Sequence, residues 1–337
     1  HIEEDDIPGR IDIPENIQRK YSVDSGDILF NRTSETREEV GLAAVYEGEE
    51  PVVFGGFVIR ARMNSEVLEE RFAGYALRAP FVRRQIASSG QGAIRANISQ
   101  KELSKVEVPV PPSEEQEAIA EALSDIDALL ASIDAAIEKK RNVKTATMQR
   151  LLTGEERLSG FEGKWKSRPL GNCLTNPPKY GVNAPAVPYN DSLPTYIRIT
   201  DITEEGRYSP DSRVSVDVND HEEYQLEQGD LVFARTGASV GKSYLYDESD
   251  GELVYAGFLI RVKPDPRKLV PEFLAYYTKT QHYWKWIRSM SMRSGQPGVN
   301  GKQYSQLPVP LPPVAEQCAI AEVLSDMDAE IEAWEKR

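Results

Sequence analysis

Cysteine is nearly missing from this chain of 337 residues: Cys173 and Cys318 are the only two, too few for a disulfide framework and without the spacing of a zinc site. Histidine is almost as scarce. His1, His221 and His282 form no pair with metal-ligand or nucleophile spacing, and no serine or cysteine stands in a recognisable nucleophile context. Catalysis in this chain, a metal site and a cofactor of its own are therefore not expected. No apolar run approaches the roughly 20 residues of a membrane span, and His1 is not followed by a charged-then-apolar leader. The expectation is a soluble, cytoplasmic protein with no membrane partner.

Positive charge is also in short supply, with 40 Lys and Arg against 54 Asp and Glu and a formal net charge of −14. Taken whole, that balance argues against nucleic acid, because duplex binding draws on cations that neutralise phosphates. The distribution of the charge argues the other way, and it becomes visible once the chain is seen to repeat itself.

Leu103-Ser104-Lys105-Val106-Glu107-Val108-Pro109-Val110-Pro111-Pro112 returns as Tyr304-Ser305-Gln306-Leu307-Pro308-Val309-Pro310-Leu311-Pro312-Pro313, at an offset of 201. Glu115 to Asp125 returns as Glu316 to Asp326 at the same offset. Upstream, Gly26-Asp27-Ile28-Leu29-Phe30-Asn31-Arg32-Thr33 matches Gly229-Asp230-Leu231-Val232-Phe233-Ala234-Arg235-Thr236, and Gly56-Phe57-Val58-Ile59-Arg60 matches Gly257-Phe258-Leu259-Ile260-Arg261. Solenoid repeats recur at roughly 20 to 50 residues, so a period this long means two copies of a whole domain with its connector. Two similar modules suggest a bipartite target. By the same register each copy shows where the other is cut short, and the chain is expected to be trimmed at both ends.

Within each copy one window is free of acid. Residues 71 to 101 carry Arg71, Arg78, Arg83, Arg84, Arg95 and Lys101, and residues 273 to 315 carry Lys279, Lys285, Arg288, Arg293 and Lys302, with no Asp or Glu in either. Acid gathers elsewhere, between Glu35 and Glu50 and between Asp201 and Glu227. A basic patch at equivalent places in both copies is the electrostatic footprint of nucleic-acid binding.

The fold class expected is α+β: two mixed α/β modules separated by long helices. Short β-rich runs at 27–30, 42–46 and 51–54 precede a helical spacing from Leu68 to Ile86, and the second copy repeats the order with a helix from Pro271 to about Ile287. After Pro111-Pro112, Ser113 reads as an N-cap with Gln116 completing a capping box, and the helix is predicted to run to about Thr153 before Gly154. Ile119, Leu123, Ile126, Leu130, Ile133 and Ile137 recur at alternating spacings of four and three, as do Ile320, Leu324, Met327, Ile331 and Trp334. This is a narrow heptad seam of the coiled-coil type, which favours a partner helix; a helix packed on its own domain's core is the alternative reading. The division expected is 1–112 and 161–313 for the modules, with 113–160 and 314–337 as central and distal helical segments.

Two motifs mislead. Asn176-Pro177-Pro178-Lys179-Tyr180 resembles the catalytic loop of adenine-N6 methyltransferases, but Lys179 breaks its spacing and no Gly-rich loop for S-adenosylmethionine precedes it. Gly237-Ala238-Ser239-Val240-Gly241-Lys242-Ser243 looks like a phosphate loop, but has three residues between its glycines where that loop needs four.

The candidate DNA contacts are polar and basic residues at matching positions. Arg32-Thr33 and Arg235-Thr236 each follow an apolar strand. Gln91 and Gln296 each follow a basic helix in a Ser-Gly-Gln run, where glutamine can pair with adenine N7 and N6; a plain turn is the alternative reading. Arg83, Arg84, Arg95 and Asn97 in the first copy, and Ser239, Lys242, Lys285, Arg288, Arg293, Asn300 and Lys302 in the second, complete the set. The loops between shared points diverge, so each module is expected to read different bases.

Two variable modules, each followed by Pro-Pro-x-x-Glu-Gln-x-x-Ile (Pro111 to Ile119, Pro312 to Ile320), with Leu151-Leu152-Thr153-Gly154 closing the central helix, resemble the specificity subunit of type I restriction-modification systems. The resemblance covers essentially the whole chain. It implies that each module is a target recognition domain reading one half of an asymmetric site in double-stranded DNA. It implies long helices paired antiparallel to set the spacer, and two modification (methyltransferase) subunits docked on them. Those subunits would bring S-adenosylmethionine, and restriction subunits would bring ATP with Mg and act as translocase and nuclease. The competing readings are a coiled-coil adaptor joining two protein-binding modules, and the specificity half of a fused restriction-methylation enzyme.

Overall fold

The computed structural model describes residues 1–2, 6–7, 9–50, 52–63, 67–92, 95–292 and 297–336. The chain divides into two compact units, His1–Ile133 and Asp134–Arg337. The boundary falls inside one long helix, because Ala120 packs in the first unit while Met148, Leu151 and Leu152 pack in the core of the second.

The first unit runs α1 (Glu15–Tyr21), β1 (Ser22–Val23), β2 (Ile28–Asn31), β3 (Thr33–Ser34), β4 (Ala43–Val45), β5 (Val52–Val53), β6 (Val58–Ala61), α2 (Glu70–Ala76), α3 (Pro80–Ser89), β7 (Ala96–Asn97), α4 (Gln100–Leu103) and the first part of α5 (Ser113–Thr153). Its centre is an antiparallel sheet in the order β4-β2-β6, with Phe30 opposite both Ala43 and Ile59. Within β2 Ile28 and Phe30 are buried while Leu29 and Asn31 are half-buried, the period of two expected of a strand with one face on the core. Val82, Ile86 and Ile98 close over that face.

The second unit continues with β8 (Lys166–Pro169), β9 (Lys179–Tyr180), β10 (Val187–Pro188), β11 (Thr195–Ile197), β12 (Val214–Ser215), β13 (Leu231–Ala234), β14 (Ser243–Leu245), β15 (Leu253–Tyr255), β16 (Leu259–Val262), α6 (Pro271–Tyr277), α7 (Gln281–Ser291), α8 (Gly301–Tyr304), β17 (Pro308–Leu311) and α9 (Val314–Glu335). β13 lies between β14 and β16 as β2 lies between β4 and β6, and Phe233 faces Ser243 and Ile260 in the same register. β9 extends this sheet at the β16 edge, a second sheet runs β10-β12-β11-β15, and β8 pairs with β17. All four strand residues of β13 are buried, because sheet and helices cover it on both sides.

Three local expectations are corrected. The single helix from Leu68 to Ile86 is two, α2 and α3, because Ala79 precedes Pro80 and takes an extended ψ of 141°. The second copy breaks at the matching place, where the Thr280 side chain caps α7 by accepting the N–H of Tyr283. Gln116 forms no capping box: its amide is buried and bonds residues 67, 69 and 111. By contrast α5 ends at Thr153 as read, with Gly154 in the left-handed conformation at φ 75°.

The two seams behave differently along their length. Ile320 and Leu324 belong to the core of the second unit with Met327 packed against it, so these positions serve the unit's own core. Ile331 is buried and Trp334 half-buried, with Lys140 over its ring. Ile119 packs beside Phe72 and Ala76, while Leu123, Ile133 and Ile137 are half-buried. Ile126 and Leu130 are 51 and 54% exposed. Within the second unit, the end of α5 meets α9 through Lys140–Glu330 at 2.6 Å, Arg141–Glu335 at 2.7 Å and Lys144–Asp328. From Arg141–Glu335 to Lys144–Asp328 the numbers rise on α5 as they fall on α9, so these segments run in opposite directions.

The Gly-Asp pair before each central strand carries a pH signature of opposite sign. Burial pushes the Asp27 carboxyl up, but the Arg62 bond, the Asp24 N–H and the charges of Arg62 and Arg60 together hold it below the ordinary carboxylate value. At Asp230 burial wins over the Glu227 N–H, Arg261 and Lys263, and the carboxyl is raised. Asp27 therefore contributes stability above the unfolded carboxylate value, lost as pH falls through its folded one. The Asp230 contribution is present at low pH and lost as pH rises through its raised value. We expect Asp27→Asn to destabilise at neutral pH and to become neutral in acid. Asp230→Asn, which mimics the protonated acid, should gain on the parent as pH rises from 3 to 7, measured by urea midpoints; the reverse order would refute the assignment.

Candidate nucleic-acid interface

The strand-end Arg-Thr pair and the loop after the basic helix, 58 or more residues apart in sequence, are brought side by side in both units. In the first, β3 pairs with β7, so that Thr33 stands opposite Asn97 and donates its hydroxyl to Asn97 Oδ1 at 2.7 Å. The Ile98 N–H donates to the Arg32 carbonyl, and Gln91 and Asn97 exchange both backbone bonds across the loop mouth. Arg95 lends its carbonyl to the Asn97 amide at 3.1 Å. Arg32, Gln91, Arg95 and Asn97 are all exposed. No ion pair engages Arg32 or Arg95 among the described residues.

The second unit builds the same junction. Val299 N–H donates to the Arg235 carbonyl, Thr236 bridges to Gly298, and Gly237 N–H donates to Pro297. Arg235 lies over the Tyr180 ring at 4.9 Å, and the Tyr180 hydroxyl accepts the Gly301 N–H at the start of α8. The Asn-Pro-Pro-Lys-Tyr run that resembles a methyltransferase loop thus serves as a strand: Lys179 pairs with Glu223 at 2.5 Å and Tyr180 carries an arginine.

Some candidates have other work. The terminal nitrogens of Arg83 donate to the carbonyls of Glu38, Val40 and Gly41, and burial with the nearby charge of Arg78 lowers its pKa. It is a brace for the loop before β4, not a free cation. At the equivalent position Trp284 lies against Gly241 instead. Lys242 is largely buried and paired with Glu204 at 2.6 Å. Asn300 caps α8 by accepting the Gln303 N–H and is exposed, and Ser239 sits in a half-buried turn at Gly237–Ser239. Arg84, Lys285, Arg288 and Lys302 are exposed, with Arg84 and Lys285 at equivalent positions on α3 and α7. Arg293 and Gln296 lie outside the described residues.

Reading the sequence did not single out Phe57 and Phe258. Both are exposed, at 74 and 57%, at the turn before β6 and β16. Their carbonyls accept the N–H of Arg32 at 2.7 Å and of Arg235 at 3.0 Å, so each phenylalanine is joined through its backbone to the strand-end arginine. The signal was there in Gly56-Phe57 and Gly257-Phe258, a large apolar residue kept at the same place in both copies but hidden from the core. Each unit therefore offers arginine, small polar groups and an exposed phenylalanine at this junction, joined in the second by the exposed Tyr180, the mixture that contacts phosphates, base edges and thymine methyls. Among the described residues no group of His, Cys, Asp and Glu could hold a metal ion, and no helix is long and apolar enough to cross a membrane.

Comparison with known proteins supplies an independent view. Residues 12–140 and 161–337 match the family described as the type I restriction modification DNA specificity domain. The type I restriction enzyme StySPI specificity subunit of Salmonella potsdam is 24% identical, over 96% of this chain and 73% of its own length. The putative type I restriction enzyme MjaX specificity subunit of Methanocaldococcus jannaschii is 25% identical, over 96% of this chain and 77% of its own. In fold, the chain is similar to one in a solved structure of a type I restriction-modification system, with a TM-score of 0.60 and 19% identity, over 94% of this chain and 77% of that one.

Proposed function

The chain belongs to the family of type I restriction modification DNA specificity domains, and from that membership we propose that it reads one asymmetric, split site in double-stranded DNA, one half per unit. In this family the chain supplies specificity, and catalysis lies on partner subunits. The observation that carries the proposal is the duplicated junction: Arg32 and Phe57 beside Asn97 and Ile98, Arg235 and Phe258 beside the 297–300 loop, on matching sheets whose loops differ in sequence. A shared scaffold with different loops reads two different half-sites. Residues 1–112 and 161–313 are the target recognition domains in this reading, and 113–160 and 314–337 the helical segments.

The helices act as an antiparallel coiled coil and ruler. At 1.5 Å per residue α5 is roughly 60 Å long, a stiff connector that sets the unread gap. Two methyltransferase subunits dock on the helical segments with S-adenosylmethionine, and ATP-dependent restriction subunits complete the assembly. The acidic net charge then follows from a division of labour, in which partners provide much of the phosphate clamp and this chain alone binds DNA weakly.

The test is to map methylated adenines in a host with and without the gene. A split motif should vanish on deletion. Exchange of residues 164–302 for the matching segment of another specificity chain should change one half only, and insertion or deletion near Ser132 should change only the gap. Arg32→Ala and Arg235→Ala should each weaken one half, by about 10- to 100-fold if the arginine reads a base. Methylation that ignores both exchange and insertion would overturn the proposal.

A further inference from the structure

Each long helix is fastened to its own unit at two points, and the same atoms do the fastening in both copies. Gln116 is 2% exposed: its Oε1 accepts the Glu69 N–H at 2.8 Å, and its Nε2 donates to the carbonyls of Val67 at 2.9 Å and Pro111 at 2.8 Å. Gln317 is 0% exposed: its Oε1 accepts the Val270 N–H at 2.8 Å, and its Nε2 donates to Lys268 at 2.9 Å and Pro312 at 3.0 Å. Every partner is displaced by the repeat offset of 201. At the second point the Tyr75 hydroxyl donates to Asp127 Oδ2 at 2.9 Å, and the Tyr276 hydroxyl to Asp328 Oδ2 at 2.8 Å.

Gln116 and Asp127 are eleven residues apart, as are Gln317 and Asp328. Eleven residues make about three helical turns, so both points lie on one helix face about 16 Å apart. Between them Ala120 packs with Phe72 and Ala76, and Ile320 with the core around Phe273. A single attachment leaves a pivot. Two on one face, with close packing between, remove it.

We infer that Gln116 with Tyr75, and Gln317 with Tyr276, are positioning residues for spacer-length discrimination, holding each recognition unit at one angle on its helix. The inference rests on the split-site reading above. Successive base pairs are about 3.4 Å apart along the duplex, so a ruler can reject a gap one pair too long only if what it carries cannot swing by that distance. The clamps meet this need without touching DNA. They also give the glutamine of the repeated motif a role that its place near a helix start disguises.

The test uses the complete modification complex, this chain with methyltransferase subunits and S-adenosylmethionine. Its substrates are duplexes bearing the two mapped half-sites with the natural gap or a gap one base pair longer or shorter. Gln116→Ala and Gln317→Ala remove the clamps. Tyr75→Phe and Tyr276→Phe remove a single oxygen each and keep the ring packing, so they decide the matter if the glutamine variants fail to fold. The parent should prefer the natural gap, and each folded variant should lose about tenfold of that preference, the scale of one hydrogen bond's net free energy. Base preferences within each half should stay as they are. Folded tyrosine variants that keep the parent's preference overturn the inference, and so does an equal loss of rate on all three gaps, which is what a merely structural role produces. A parent that methylates no split motif overturns the underlying reading instead.

Discussion

Gly241→Ala is expected to destabilise the second unit by about 3 kcal/mol, the combined cost of a left-handed residue with a Cβ and of overpacking a filled core. Gly241 has φ 93°, and an added Cβ would lie 2.8 Å from Cγ2 of Ile287 and 3.0 Å from the Trp284 ring. Ile287 is buried on α7 and has nowhere to go. Gly41→Ala should act alike on the first unit, since Gly41 has φ 64° and its added Cβ would stand 2.5 Å from Ile86 Cγ2. The two effects separate experimentally because all four tryptophans, at 165, 284, 286 and 334, lie in the second unit. Urea unfolding followed by tryptophan fluorescence should register Gly241→Ala, whereas Gly41→Ala should appear in far-ultraviolet circular dichroism with the fluorescence transition unmoved. A shift below about 0.5 kcal/mol in either would contradict the packing argument, being the size of an ordinary surface change.

The same residue explains why the phosphate-loop likeness fails. The Gly241 N–H donates to the Ala234 carbonyl and the Gly237 N–H to Pro297, so these amides are spent within the fold. The glycines are there to let the chain turn tightly from β13 to β14 over Ile287. Three intervening residues already weighed against that loop, and the backbone supplies the reason.

What the sequence revealed and what it hid divide by distance along the chain. The strands at Ile28–Asn31 and Leu231–Ala234, and the end of α5 before Gly154, were legible because a short β-rich run behind Gly-Asp and a left-handed glycine are local signals. The duplication itself made the Arg-Thr and Phe positions comparable between copies. Gln116 was misread because its partner Glu69 lies 47 residues earlier, and nothing local distinguishes a clamp from a capping box. The seam was read as one surface, but Ile320 and Leu324 entered the unit's own core. A spacing of four and three states which face is apolar and leaves open what covers it. Arg83 was grouped with exposed cations because burial cannot be seen in a basic run; its carbonyl partners lie 42 to 45 residues away.

Gln317→Ala should destabilise the second unit by about 3 kcal/mol, and Gln116→Ala the first by roughly half as much, although the two glutamines make the same three bonds. The difference follows from what each would strand. Removing the Gln317 amide leaves the Val270 N–H and the Pro312 carbonyl in buried residues, and an unpaired buried polar group costs about 1–3 kcal/mol. Around Gln116, Glu69 and Pro111 are half-buried and Val67 is exposed, so water can replace part of what is lost. Fluorescence-monitored urea unfolding reports the first substitution and circular dichroism the second. Equal losses would mean that the clamps are equally dry, and a larger loss at Gln116 would reverse the argument. The ordering also bears on spacer discrimination: Gln116→Ala is the variant expected to stay folded while its unit is free to swing, which makes the less buried clamp the better probe of whether these glutamines measure as well as hold.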